Sequence, residues 1–194
     1  MRNYTHNWNQ EFIANSMSLN SKFDFCLEIG SFEGLTSNFI VDNILNTDGK
    51  LICIDPLTDV YLNDNLSDFD KERNDNHFAF FKDRHSRFIN NVKEHIETGK
   101  VELIRDLSVN VFDFLISKYE NKFDFIYIDG DHRPEGVYID AINSFILCKN
   151  GGYILFDDYL WENTGVGIDR FLKEYNGKYL IITKGCQVLI QKCK

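Results

Sequence analysis

The sequence predicts an α/β protein, a doubly wound seven-stranded mixed sheet whose last two strands form an antiparallel hairpin. Three observations carry this. Short, almost continuously apolar runs alternate with longer stretches of helical period, as expected of strands covered by helices on both faces. The last two runs, 179–183 and 187–191, are separated only by Lys184, Gly185 and Cys186. That is too short for a crossover helix, so these strands must be antiparallel neighbours. Finally, 194 residues that are 43% hydrophobic and 26% charged suit one globular domain, 1–194, with a substantial core.

The elements follow in order. Residues 1–22 read as an N-terminal cap segment ahead of a first strand at 23–29, where Phe, Cys, Leu and Ile crowd together. A helix is expected at 34–45 and a second strand at 50–55. Residues 63–76 are polar and aperiodic, either a surface loop or a lid over the carboxyl side of the sheet. Helix 78–97, strand 101–105, helix 109–120, strand 123–129, helix 135–147, strand 153–157 and helix 167–175 then lead into the hairpin.

Composition excludes several classes of function. With 21 Lys+Arg against 30 Asp+Glu the net charge is −9, which repels phosphate backbones and anionic lipid, so nucleic acid and membrane are not expected partners. The five cysteines, Cys26, Cys53, Cys148, Cys186 and Cys193, show no CxxC pair and no zinc-type spacing, which suggests a reducing compartment. No apolar leader and no run of membrane-spanning length is evident. A cytoplasmic protein is therefore expected, and self-association into a homo-oligomer is left open.

Two motifs carry chemistry. The first is Leu27-Glu28-Ile29-Gly30-Ser31-Phe32-Glu33-Gly34 at the end of the first strand. Gly30 permits a sharp strand-to-helix turn with room for a ligand, and Gly34 lets the helix start close to the sheet. The second strand ends in Asp55, placed to accept hydrogen bonds from a ribose diol. A dinucleotide would need a third glycine where Phe32 stands, and Glu33 sets a negative charge where pyrophosphate would sit. S-adenosylmethionine has no phosphate and carries cationic groups, which Glu28 at the same strand end would favour.

The second motif is the acid set Asp129, Asp131, Asp157 and Asp158. Asp129 and Asp157 end two strands expected to be neighbours, so their carboxylates converge where open α/β sheets bind ligands. Such a cluster needs a cation, a shared proton or hydrogen-bond donors. A hard divalent ion such as Mg²⁺ suits an all-oxygen set, and a hydrogen-bonded cluster is the alternative. His132 follows directly, either as a proton acceptor near neutral pH or as a hydrogen-bonding partner of the acids. Trp8 and Trp161 are expected near the cleft mouth, where either walls an acceptor pocket or simply packs.

Taken in order, Glu28–Gly34, Ile54-Asp55-Pro56, Tyr127-Ile128-Asp129-Gly130-Asp131-His132 and Gly151-Gly152-Tyr153-Ile154-Leu155-Phe156-Asp157-Asp158 resemble the class I S-adenosylmethionine-dependent methyltransferases. The likeness runs from about Phe23 to the C-terminus and is nearest to the branch of catechol, caffeoyl-CoA and antibiotic-sugar O-methyltransferases. It implies a Rossmann-like sheet of order 3-2-1-4-5-7-6. It further implies that Glu28, Gly30, Ser31, Phe32 and Gly34 surround the methionine moiety of the cofactor, that Asp55 holds the ribose, and that Asp106, Leu107 and Ser108 flank the adenine, with Asp129 nearby. Arg105 stands where a small residue is common. Asp129, Asp157 and Asp158 map onto the branch's metal positions, Asp158 replacing a common Asn, and Asp129 and His132 are the catalytic candidates. The implied reaction is O-methylation of a small-molecule or sugar hydroxyl, with Gly130-Asp131-His132 looking more like the sugar-modifying relatives. An NAD-dependent oxidoreductase and a catalytically silent binding protein are the rival readings.

Overall fold

Burial on both faces shapes the sheet's centre. In the computed structural model, which describes residues 2, 4, 10–58 and 83–193, helix α1 (Gln10–Ser18) leads into strand β1 (Phe23–Ile29). Helix α2 (Leu35–Phe39) continues through one π-helical turn (Ile40–Ile44) into β2 (Leu45–Ile54). Then follow α3 (Arg84–Glu97), β3 (Val101–Ile104), α4 (Ser108–Tyr119), β4 (Phe123–Ile128), α5 (Pro134–Leu147), β5 (Cys148–Phe156), α6 (Glu162–Glu174) and the hairpin β6 (Tyr179–Lys184) and β7 (Val188–Lys192). The stretch 63–76 and Trp8 lie outside the described residues.

The sheet order is β3-β2-β1-β4-β5-β7-β6. The first five strands in that order pair in parallel, and β7 pairs antiparallel with both β5 and β6, as the short link between the last two runs requires. The order is the one implied by the family resemblance, and the terminal hairpin is the one read from the short link between the last two runs. Two strands begin earlier than expected, because β2 and β5 each have an irregular lead-in before the register settles at Lys50 and Tyr153.

Period-two alternation divides the core between the faces. Leu27, Ile29, Ile126, Ile128, Ile154 and Phe156 pack under α4, α5 and α6 through Phe112, Val137, Ala141 and Phe171. Cys26, Cys53, Phe125, Tyr127 and Leu155 pack under α1, α2 and α3 through Phe12, Phe39, Phe88 and Val92. At the edge remote from the strand carboxyl ends, Asp124 accepts the backbone N–H groups of Asp24 (2.9 Å) and Phe25 (2.7 Å) and pairs with Lys149. This staples β4 to β1 and leaves the opposite edge to form the site. Among the described residues no helix is long and apolar enough to cross a membrane.

Candidate active site

Between β1 and β4 the sheet reverses its winding, and the carboxyl ends of β1, β2, β4 and β5 open there into a crevice. The chain leaves Ile29 through three left-handed residues, Gly30 (φ 85°), Phe32 (φ 46°) and Gly34 (φ 78°). Gly30 is forced by two facts: its φ, and a Cβ there would overlap the carbonyl oxygen of Asp129. The close approach is thus to the end of β4. At Gly34 a Cβ would collide with Val92, so this glycine makes room for α3 and not, as expected, for the sheet.

Asp55 fixes the turn. Its Oδ2 accepts the N–H groups of Ser31 (2.9 Å) and Phe32 (2.8 Å), and its Oδ1 accepts that of Leu57 (2.7 Å). These bonds offset the strain of a non-glycine residue at positive φ. The acid read as a ribose acceptor therefore also anchors the loop that would cradle the cofactor.

Glu33 is fully buried and pairs with Arg87 at 2.6 Å. Its charge does not face the crevice, which corrects the expectation that it repels a phosphate there. Glu28 is also fully buried, turned to the face shared with Cys53 and accepting from the Ser37 hydroxyl and the Cys53 thiol (3.3 Å). Burial pushes its carboxyl up to about 7. Glu28 Oε1 and the Ser31 hydroxyl are buried without a hydrogen-bond partner among the described residues. Two orphaned oxygens at the end of β1 fit a ligand carrying an ammonium group.

The acids beyond β4 and β5 are sorted into two roles. Asp129, His132 and Asp158 converge, one potential ligand atom from each lying within 4.8 Å of the others. His132 Nε2 lies 3.3 Å from Asp129 Oδ1 and 3.6 Å from Asp158 Oδ2. Desolvation, with Asp157 and Asp158 adding to it, pushes Asp129 up to about 7 against the pull of His132. Desolvation and Asp157 push Asp158 up to about 6. The hydrogen bond to Asp129 raises His132 above its ordinary value.

Asp157 stands apart from that group. Its Oδ2 accepts from the Tyr127 hydroxyl (2.5 Å), and its Oδ1 accepts from Gln187 Nε2 (2.9 Å) and the Asp158 N–H (2.9 Å). Three protein donors occupy the carboxylate expected to bind a metal with Asp129 and Asp158, and His132 takes its place in the cluster. Asp131 is drawn aside by a bidentate pairing with Arg133, Nε to Oδ1 and Nη2 to Oδ2.

Asp106 stands just before α4, accepting from the Leu107 N–H (2.7 Å) and Asn110 Nδ2 (2.8 Å), and Leu107 is exposed. Ser108 donates to Asp140 (2.6 Å), a buried carboxyl that desolvation lifts to about 7 and whose Oδ2 lacks a partner among the described residues. Trp161 is exposed and meets His132 edge-on at 5.3 Å, beside the cluster as expected of a cleft-mouth residue.

Sequence reasoning missed Tyr127, Gln187 and Asp140. Tyr127 was readable, since it sits two residues before Asp129 on one strand and so shares its face. Gln187 becomes visible only once the register Phe156↔Val188 is known.

A family model described as a methyltransferase domain matches residues 27–159. A curated relative, the uncharacterized protein R132 of Acanthamoeba polyphaga mimivirus, is 30% identical over 134 residues, covering 69% of this chain. The chain spans about half (50%) of that relative's length. Among solved structures, an O-methyltransferase from Bacillus cereus in complex with SAH aligns over 100% of this chain and 84% of its own, with TM-score 0.68 and 15% identity. The O-methyltransferase TomG from Streptomyces achromogenes, involved in tomaymycin synthesis and solved with SAM, aligns over 98% and 82%, with TM-score 0.67 and 16% identity. At these identities the likeness is one of fold.

Proposed function

The chain belongs to the methyltransferase domain family, and on that premise we propose that it transfers a methyl group from S-adenosylmethionine to a hydroxyl of a small molecule, a sugar or glycan hydroxyl being the favoured class. The observation that carries this reading is the cluster of Asp129, His132 and Asp158 at the mouth of the crevice beside the Gly30 turn. A proton-accepting imidazole flanked by two carboxylates is what an alcohol nucleophile needs at the moment it attacks.

Bound at the β1 turn, S-adenosylmethionine supplies an electrophilic methyl group on a sulfonium. The chain's own part is alignment and proton handling. Gly30 and Ser31 form the floor, and Asp55 holds their loop rigid through the Ser31 and Phe32 N–H groups. The Glu28 Oε1 and the Ser31 hydroxyl would accept hydrogen bonds from the cofactor's ammonium group. Ser108 and Leu107 would border the adenine. His132, whose Nε2 faces Asp129 at 3.3 Å, takes the acceptor's proton at Nδ1, so transfer rises with pH through its raised pKa.

We further propose that a divalent ion such as Mg²⁺ binds Asp129 and Asp158, with His132 adjacent. The upward displacement of both carboxyls, to about 7 and about 6, is the electrostatic stress that a cation relieves, and such an ion would lower the pKa of a coordinated hydroxyl. The five free cysteines support a reducing, cytoplasmic setting.

The test is mass-spectrometric detection of S-adenosylhomocysteine and of a methylated product, using a panel of sugars with vicinal hydroxyls and a parallel panel of catechols. Product from the sugars supports the full reading, and product from catechols alone moves the acceptor class. No transfer to either panel, with the cofactor bound, argues for a silent binding protein.

A further inference from the structure

Behind the cluster, a line of buried polar side chains crosses an otherwise apolar face. The Thr183 hydroxyl donates to Asn15 Oδ1 (2.9 Å), Asn15 Nδ2 donates to Gln187 Oε1 (3.0 Å), and Gln187 Nε2 donates to Asp157 Oδ1 (2.9 Å). Gln187 is fully buried and Asn15 nearly so. The direction of every link follows from the last one. A carboxylate only accepts, so Gln187 must present its NH₂ to Asp157 and its carbonyl to Asn15, which must in turn accept from Thr183. Glu11 of α1 also accepts the Gln187 backbone N–H (3.0 Å), so α1 clamps the turn of the hairpin at two points.

The line ends where the backbone is strained. Asp158 has φ 51°, uncommon for a residue with a side chain. Its N–H is held by Asp157 Oδ1 (2.9 Å) and its carbonyl by the Trp161 N–H (2.9 Å). In this conformation the Asp158 carboxylate lies 3.6 Å from His132.

We propose that Gln187 is a positioning residue: it fixes the Asp157 carboxylate, which holds Asp158 in the left-handed turn that brings it to Asp129 and His132, while Asn15 of α1 holds the Gln187 amide in the orientation that Asp157 requires. A network serving stability alone would have no reason to end on the acid that precedes the cluster, and apolar side chains would fill the same buried volume without needing partners. The inference depends on the proposed transfer site only for its activity readout.

The test measures amide hydrogen exchange by NMR on the full chain, comparing wild type with Gln187→Met, Asn15→Leu and the milder Thr183→Val. Asn15→Leu and Thr183→Val keep the experiment informative if Gln187→Met does not fold. The expected result is exchange at the Asp158 amide faster by roughly tenfold in Gln187→Met, and faster in the same sense in Asn15→Leu, as befits the loss of one net hydrogen bond. Amides of β3 should keep wild-type protection. Methyl transfer should fall in kcat with the dissociation constant of S-adenosylhomocysteine unchanged. Unchanged Asp158 exchange, or protection lost evenly across all strands, overturns the proposal. Faster Asp158 exchange with undiminished kcat upholds the positioning of the turn and removes the cluster from the transfer site.

Discussion

Replacing Glu28 by glutamine should flatten the pH dependence of stability. Glu28 is fully buried between β1, β2 and α2, and burial lifts its carboxyl from 4.5 to about 7. The folded protein thus keeps a proton that the unfolded chain has already released. Stability contributed by this group is fully present below the unfolded pKa and is lost as pH rises through about 7. At about 1.36 kcal/mol per pKa unit, the displacement corresponds to about 3 kcal/mol, of which about 2–3 kcal/mol disappears between about pH 5 and 8. The glutamine amide in Glu28→Gln cannot ionise, so that slope vanishes. The variant still accepts from Ser37, but its NH₂ occupies the place of the unpartnered Oε1, at a pH-independent cost of about 1–3 kcal/mol. Asp129 and Asp140, also lifted to about 7, act equally in both proteins and cancel in the difference. Urea unfolding of the cofactor-free proteins at constant ionic strength, from pH 5 to 8, should therefore give curves that converge or cross. Parallel curves would refute the argument that Glu28 is buried and protonated near neutrality.

Three other outcomes follow from the site. Gly30→Ala should abolish binding of S-adenosylhomocysteine in calorimetry, because the added Cβ runs into the Asp129 carbonyl and the φ of 85° disfavours any side chain; wild-type affinity would misplace the turn. Asp55→Ala should weaken that binding by about 1–3 kcal/mol through loss of charge-assisted bonds to the Ser31 and Phe32 amides, and an unchanged titration would confine Asp55 to local packing. Chelation should stop methyl transfer and spare cofactor binding, Mg²⁺ should restore it, and Asp158→Ala should mimic the chelated enzyme; transfer undiminished by EDTA leaves His132 alone as the proton acceptor.

The sheet was legible because its information is local. Each inner strand is an apolar run, and the three-residue link after Thr183 admits one topology. Helix α6 begins at Glu162, earlier than the expected 167, so that Gly165 and Gly167 fall inside it. In the structure they let the helix pack tightly, since a Cβ would meet the Tyr159 carbonyl at Gly165 and the Pro134 carbonyl at Gly167. Carboxylates were harder to read. Their positions at strand ends are local facts, but where they point depends on distant partners: Ser37 for Glu28, Arg87 for Glu33, and the Ser31–Phe32 amides for Asp55. The clearest case is Asp157, whose partners Tyr127 and Gln187 both lie 30 residues away along the chain. The grouping of Asp129 with His132 was visible because the two stand three positions apart in one loop, whereas Asn15 and its bond to Gln187 join the two ends of the chain and leave no local trace.

The proposed function requires that the crevice at the β1 turn take S-adenosylmethionine and not a dinucleotide. Isothermal calorimetry of the full chain against S-adenosylmethionine, S-adenosylhomocysteine and NAD⁺, with Gly30→Ala as the control, tests it most directly. Saturable one-site heats are expected for the first two ligands, none for NAD⁺, and none for any ligand with the variant. Saturable binding of NAD⁺ with no heat from S-adenosylmethionine or S-adenosylhomocysteine would contradict it.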